Sequence, residues 1–177
     1  MHPKWKLSLH SALFSLALLS GCTEKYIPRP RPAEEKLVSA FPPGSRVALI
    51  NNQPSQELRR LGEIGMGSTG NGDMHAWTEQ AVLAIKTSLE RAGAVVDPHA
   101  DRSLKISITR ANVAYTSSGF GFNADGDFTV ELGDGRSFPL TAQEGSWKWQ
   151  PACDELIMRI ASTTLQHSEI RGYISGK

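Results

Sequence analysis

The chain has 177 residues, 40% of them hydrophobic and 21% charged, with a formal net charge of +1. This is the length and make-up of a single ordinary globular domain. So even a charge balance excludes the strong positive field that a nucleic-acid partner requires.

Residues 1–7 carry Lys4 and Lys6, and residues 11–19 form an apolar run. That run is shorter than the about 20 residues a membrane-spanning helix needs. A basic start before a short apolar run is the pattern of a secretory signal peptide, expected over 1–21. It ends in Leu19-Ser20-Gly21-Cys22, which resembles the bacterial lipobox. The resemblance implies that small residues at 20 and 21 admit the signal peptidase. The Cys22 thiol then takes a diacylglycerol as a thioether, and the freed Cys22 amine takes an N-acyl (palmitate) chain. No cofactor is implied beyond this covalent lipid. Each buried methylene contributes about 0.8 kcal/mol, so two or more chains hold a protein on a membrane. In Gram-negative lipoproteins the residue after the lipidated Cys sorts between membranes. Thr23 in place of Asp implies an outer-membrane anchor facing the periplasm; in another cell type the site is the outer face of the cytoplasmic membrane. Lys4 and Lys6 leave with the signal, taking the formal charge from +1 to −1. With Cys22 lipidated, Cys153 has no partner for an internal disulfide.

Residues 22–44 follow, with Pro28, Pro30 and Pro32 alternating. Such spacing favours extended polyproline II and reads as a semi-rigid tether, closed by Pro42-Pro43-Gly44. A single domain is expected over 45–177. Val47-Ala48-Leu49-Ile50 is a short apolar run typical of a buried strand. Residues 53–73 are polar and hold Gly62, Gly65, Gly67, Gly70 and Gly72, which predicts a long mobile loop, with a helical turn over 57–61 as the alternative there. Asp73 is the expected N-cap of a helix over 74–92, whose stripe is Trp77, Ala81, Ile85 and Leu89, with Gly93 at its end. Ala94-Val95-Val96 begins another extended segment.

Leu104, Ile106 and Ile108 alternate with polar residues as in a strand with one buried face. The apolar phase then shifts to Ala111, Val113 and Tyr115, which predicts a bulge or bend near Arg110–Asn112. A Gly/Ser link is expected from Thr116 to Gly126. Phe128, Val130 and Leu132 form the next strand, and Gly133-Asp134-Gly135 signals a hairpin into a returning strand that runs to Trp147. Pro151 suits the first position of a helix over 151–168, with Cys153, Leu156, Ile157, Ile160, Ala161 and Leu165 as its stripe. The fold class expected is α+β: a curved, mostly antiparallel sheet packed by two helices.

Several patterns invite a chemical reading. Gly65-Met66-Gly67-Ser68-Thr69-Gly70 spells G-x-G-x-x-G, but no strand runs directly into it, so the dinucleotide context fails. Asn123-Ala124-Asp125-Gly126-Asp127 begins like a calcium loop, yet Phe128 stands where Gly is needed and no Glu falls at the twelfth place; an Asp-Gly turn is the plain reading. His75, His99 and His167 lack metal-ligand spacing with one another or with Cys153, and no metal site is expected. No catalytic residue is assigned. Ser68, Asp73 and His75 lie close enough in sequence to keep an envelope hydrolase using the 62–75 region as an alternative, although a triad is defined by geometry. Cys153 on an apolar stripe reads as a core thiol. Trp147-Lys148-Trp149 would place both indoles on one face of a strand. Trp147 and Trp149 are therefore candidate binding residues for a glycan, peptidoglycan or protein partner, with Gly67 and Gly70 as candidates in the glycine segment.

The lipobox, the proline-rich segment and three hydrophobic patterns together resemble the YajG-type family of small envelope lipoproteins. The patterns are Val47–Ile50, Trp77–Ala92 with Gly93-Ala94, and Leu104–Ile108, within a match of roughly 45–170; the glycine segment at 62–72 departs from it. The resemblance implies an α+β domain and a non-enzymatic envelope role. The expected partners are the membrane, through the lipid, and an envelope protein or glycan.

Overall fold

The hydrophobic alternation of Leu104, Ile106 and Ile108 becomes the central strand of a five-stranded sheet in the computed structural model. The structure describes residues 23–31, 39–54, 57–65 and 67–176. The elements in chain order are β1 (Thr23–Tyr26), β2 (Arg46–Asn51), β3 (Leu58–Gly65), β4 (Ser68–Asp73), α1 (Met74–Arg91), β5 (Val95–Val96), β6 (Ser103–Tyr115), β7 (Phe122–Leu132), β8 (Ser137–Ser146), α2 (Trp149–Gln166) and α3 (Ser168–Ser175). One sheet has the order β5-β2-β6-β7-β8 and a second the order β1-β4-β3. The long ladders β6–β7 and β7–β8 are antiparallel, whereas β2 pairs β5 and β6 in parallel, the usual outcome of a helical crossover. Among the described residues the fold is α+β, with two sheets and three helices where one sheet and two helices were expected.

The core lies between the five-stranded sheet and α1 and α2. Trp77, Ile85 and Leu89 from α1 are fully buried with Leu104, Ile106, Ile108, Phe128 and Leu132 from the sheet and Leu156 and Ile157 from α2. Asp73 caps α1 as expected, its carboxylate accepting from the His75 and Ala76 amides at 3.1 and 3.5 Å. The phase shift in β6 is a register slip between Ile108 and Arg110 that leaves Thr109 as the extra residue, one position before the expected Arg110–Asn112. Where β2 has ended, the Ile108 amide donates instead to Thr78 Oγ1 of α1 at 3.2 Å, so the backbone group is satisfied by the helix packed above it.

Five expectations are corrected. Residues 58–65 and 68–73 form the antiparallel pair β3–β4 rather than a mobile loop or helical turn. Gly62 serves close packing there: a Cβ on it would lie 2.1 Å from the Val113 carbonyl oxygen, and Gly62 has φ +148°. The 22–44 segment is not a free tether in its described parts. β1 pairs in parallel with β4, Thr23 opposite Thr69, and Phe41 is buried in the core with its amide on the Ala92 carbonyl at 2.8 Å. The Gly/Ser link ends at Gly121 and not at Gly126, because Asn123–Asp127 lies inside β7. β8 ends at Ser146, and α2 starts at Trp149, so Pro151 is its third residue. α3 closes the domain, burying Ile170 and Ile174, with Arg171 reaching back to the Ser39 carbonyl at 2.8 Å and lying over the Phe41 ring. The expected signal sequence and lipobox, Leu19, Ser20, Gly21 and Cys22, lie outside the described residues.

Candidate functional site

The antiparallel ladders bring three chain reversals to one end of the domain. Tyr115 pairs with Phe122, and Phe122 with Ser146. The 116–121 turn and the β8–α2 corner are therefore neighbours. Gly121, at φ +90°, lets them touch: its Cβ would sit 2.9 Å from the Ser146 carbonyl oxygen and 3.7 Å from Trp147 Cα. The β3–β4 hairpin reaches the same end, since Tyr115 Oη donates to the Ile64 carbonyl at 3.2 Å. Aromatic side chains crown this end. Trp147 is 80% exposed, Phe120 75% and Tyr115 47%, the last leaning on Phe122 with ring centroids 4.4 Å apart. Large apolar side chains so exposed and so close together mark an interaction surface rather than scattered surface residues.

A groove leads from the aromatic end along the outer side of α2. It consists of three depressions that share Glu155. One of about 390 Å³ lies against Phe120, Asn123 and Trp147; one of about 470 Å³ lies between Arg31, Pro151, Asp154 and Met158; one of about 230 Å³ is bounded by Glu144, Met158 and Arg159. Partial burial, then the carboxylates of Glu144 and Asp154, raise the Glu155 carboxyl above its ordinary value. The N-terminal segment forms one wall. Tyr26 Oη and the Arg29 amide both donate to Asp154 Oδ1, at 2.8 and 2.7 Å, and burial followed by this hydrogen bond raises the Tyr26 phenol.

The candidate residues fall in different places. Trp147 stands in solvent, but Trp149, on the first turn of α2, turns inward to meet the Tyr26 ring edge-on at 5.0 Å. The expected two-indole platform is therefore not formed; the helix starts between the two residues and breaks the period-two alternation. A Cβ on Gly70 would meet Ile64 Cγ2 at 3.0 Å and the Trp149 ring at 3.6 Å, so Gly70 is a packing residue. Gly67, at φ +79°, sits open at the hairpin turn. Phe120 went unnoticed in the sequence; the available signal was an aromatic residue set between Gly119 and Gly121 after Ser117 and Ser118.

The groups that could do chemistry have structural partners. Asp73 caps α1, and His75 Nδ1 donates to the Gln53 carbonyl at 2.9 Å. Ser68 lies at the far end of β4 from Asp73, about 16 Å away at the usual strand rise, so no triad forms. Asp125 and Asp127 both bind Arg110, Asp127 at 2.6 Å, and Asn112 donates to Asp125 at 2.9 Å. That guanidinium takes the place a cation would need. Cys153 is free and fully buried, and burial pushes its thiol up to about 12, which keeps it un-ionised and unreactive at neutral pH. Among the described residues no three His, Cys, Asp or Glu side chains are grouped to hold a metal ion, and no helix is long and apolar enough to cross a membrane.

No family model matches the chain, and no curated protein matches it. Among solved structures it is similar to the crystal structure of protein XCC0632 from Xanthomonas campestris, described as a DUF330 protein. The two share 16% identity and a TM-score of 0.47, over 87% of this chain and 96% of that one.

Proposed function

We propose that the chain is a lipid-anchored bacterial lipoprotein that serves the cell envelope as a non-enzymatic binding or assembly module. The observation that carries this reading is Leu19-Ser20-Gly21-Cys22 at the end of a basic-then-apolar leader. Cys22 bears the diacylglycerol and N-acyl chain, and Thr23 directs the protein to the outer membrane, facing the periplasm, in a Gram-negative cell. The likeness to YajG-type lipoproteins, carried by the lipobox, the proline-rich segment and the three hydrophobic patterns, agrees with this. The absence of a catalytic step of its own is supported by the structural employment of Asp73, His75, Asp125, Asp127 and Cys153. The groove along α2, with Glu155 at its centre, is where an envelope protein docks.

A second reading takes Trp147 as a glycan-stacking residue, favoured by its 80% exposure beside a depression that also holds Asn123 and Glu155. Retention on purified peptidoglycan that disappears in Trp147→Ala favours it over a protein partner. The main test is in-cell crosslinking and pull-down of the tagged protein, beside Cys22→Ala. One envelope partner, lost when the anchor is lost, is the expected result. Recovery of no partner under several crosslinkers refutes the accessory role, and unchanged membrane fractionation of Cys22→Ala refutes the anchor.

A further inference from the structure

We infer that the aromatic end of the domain, led by Phe120 and Trp147, seats in the phospholipid surface of the same leaflet that holds the Cys22 lipid. The inference rests on the proposed anchor and specifies how the anchored domain is oriented. Cys22 is bonded to Thr23, and consecutive Cα atoms are about 3.8 Å apart. Thr23 is already the first residue of β1, opposite Thr69 beside the hairpin turn, so no spacer separates the lipid-bearing residue from the folded domain. The end at which the chain enters is the aromatic end. Glu63, Thr69 and Thr23 stand side by side across β3, β4 and β1, Tyr115 touches Ile64, and Gln150, just after the Trp147 corner, donates to Glu24 at 3.3 Å.

The chemistry of this end suits a bilayer surface. The turns themselves, residues 64–72 and 111–124, contain no charged side chain and 145–153 contain only Lys148, while Glu24, Glu63 and Glu155 flank them. Trp147 and Phe120 project from these turns, and aromatic rings settle at the headgroup level of membranes, where Lys148 meets lipid phosphate. The opposite end is built from charges: Arg46 on Asp97, and Arg136 on Asp134 and Glu169. It has nothing to gain from leaving water.

The test uses the full lipidated protein in phosphatidylethanolamine/phosphatidylglycerol vesicles with bromines placed shallowly on the acyl chains. The difference in emission between wild type and Trp147→Phe isolates Trp147 from buried Trp77 and packed Trp149. Mass spectrometry of the N-terminal peptide reports the Cys22 lipid independently. Quenching of the Trp147 signal to less than about half is expected, because the indole sits at bromine depth; Phe120→Ser should weaken it. A lipid-bearing protein whose Trp147 is unquenched overturns the inference alone and leaves the aromatic end to a protein partner. A peptide lacking the lipid overturns the anchor and this inference with it.

Discussion

At the scale of single residues, Glu155 in the groove is held away from its ordinary state. Glu155 stands largely in solvent, yet burial of part of its side chain and the nearby Glu144 and Asp154 raise its pKa in the folded protein. Above that raised value the group is ionised in both states, and the folded state alone bears the repulsion. As pH falls through it, the folded chain takes up a proton before the unfolded chain does, and the penalty is relieved. Glu155→Gln should therefore stabilise the protein at neutral pH by a few tenths of a kcal/mol, a gain kept small by solvent screening. The gain should vanish below about pH 4, where the unfolded carboxyl is also protonated. Urea unfolding midpoints at pH 7 and pH 4 check this. A variant no more stable at pH 7 would mean the carboxylates do not share a field. Arg159 opposes the effect through its ion pair with Glu144; Asp154 instead accepts from Tyr26 Oη and the Arg29 amide.

Among the secondary elements, the contact of β3 with β6 is the most sterically exacting. Gly62 lies against the Val113 carbonyl, where a Cβ would approach to 2.1 Å in a backbone conformation with φ +148°. Gly62→Ala should cost about 3 kcal/mol or more, combining overlap with left-side backbone strain. Gly135→Ala, at φ +91° with open space around it, should cost only about 1 kcal/mol. Equal losses in the two denaturation midpoints would show that β3 does not bear on β6. The same contact explains why the hairpin was hidden in the sequence. Helix α1 was legible because Trp77, Ala81, Ile85 and Leu89 recur on one face, and the β6 slip because its buried residues change parity. β3 and β4 carry no such alternation: Gly70 and Gly72 fill the buried positions of β4 and Leu61 alone that of β3, and a missing side chain leaves no hydrophobic signal. Asn123–Asp127 read as a turn because two aspartates and a glycine dominate it, yet Arg110 on the neighbouring strand receives both carboxylates. α3 escaped because eight residues with two buried isoleucines hold too little pattern to stand out. At the candidate site, Trp147 was visible as an unusual residue, but its separation from Trp149 depended on where the helix starts, a boundary set by packing against Tyr26.

For the molecule as a whole, the docking of the N-terminal strand decides how freely the domain can move relative to its proposed anchor. A proline-rich spacer would let the domain rotate at a distance from the membrane. β1 fixes it instead, and Tyr26 is the residue through which it does so. Its ring meets Trp149, its hydroxyl holds Asp154, and its carbonyl accepts the buried Trp77 indole N–H at 2.9 Å. These contacts join β1 to both α1 and α2, so the strand is tied to the core and not only to the edge of its sheet. Tyr26→Ala should lower stability by about 2 kcal/mol, the scale for truncating a partly buried aromatic side chain. The backbone carbonyl remains, so the fold should survive while β1 loosens. Amide exchange makes the distinction: in the wild-type protein the β1–β4 pairing should slow exchange at 24–26 alongside β4, and in Tyr26→Ala exchange at 24–26 should quicken while β6 and β7 stay protected. Uniformly faster exchange would mean that Tyr26 supports the whole core. No change at all would mean that β1 is held by its ladder alone, and that the orientation of the domain at a membrane does not depend on Tyr26.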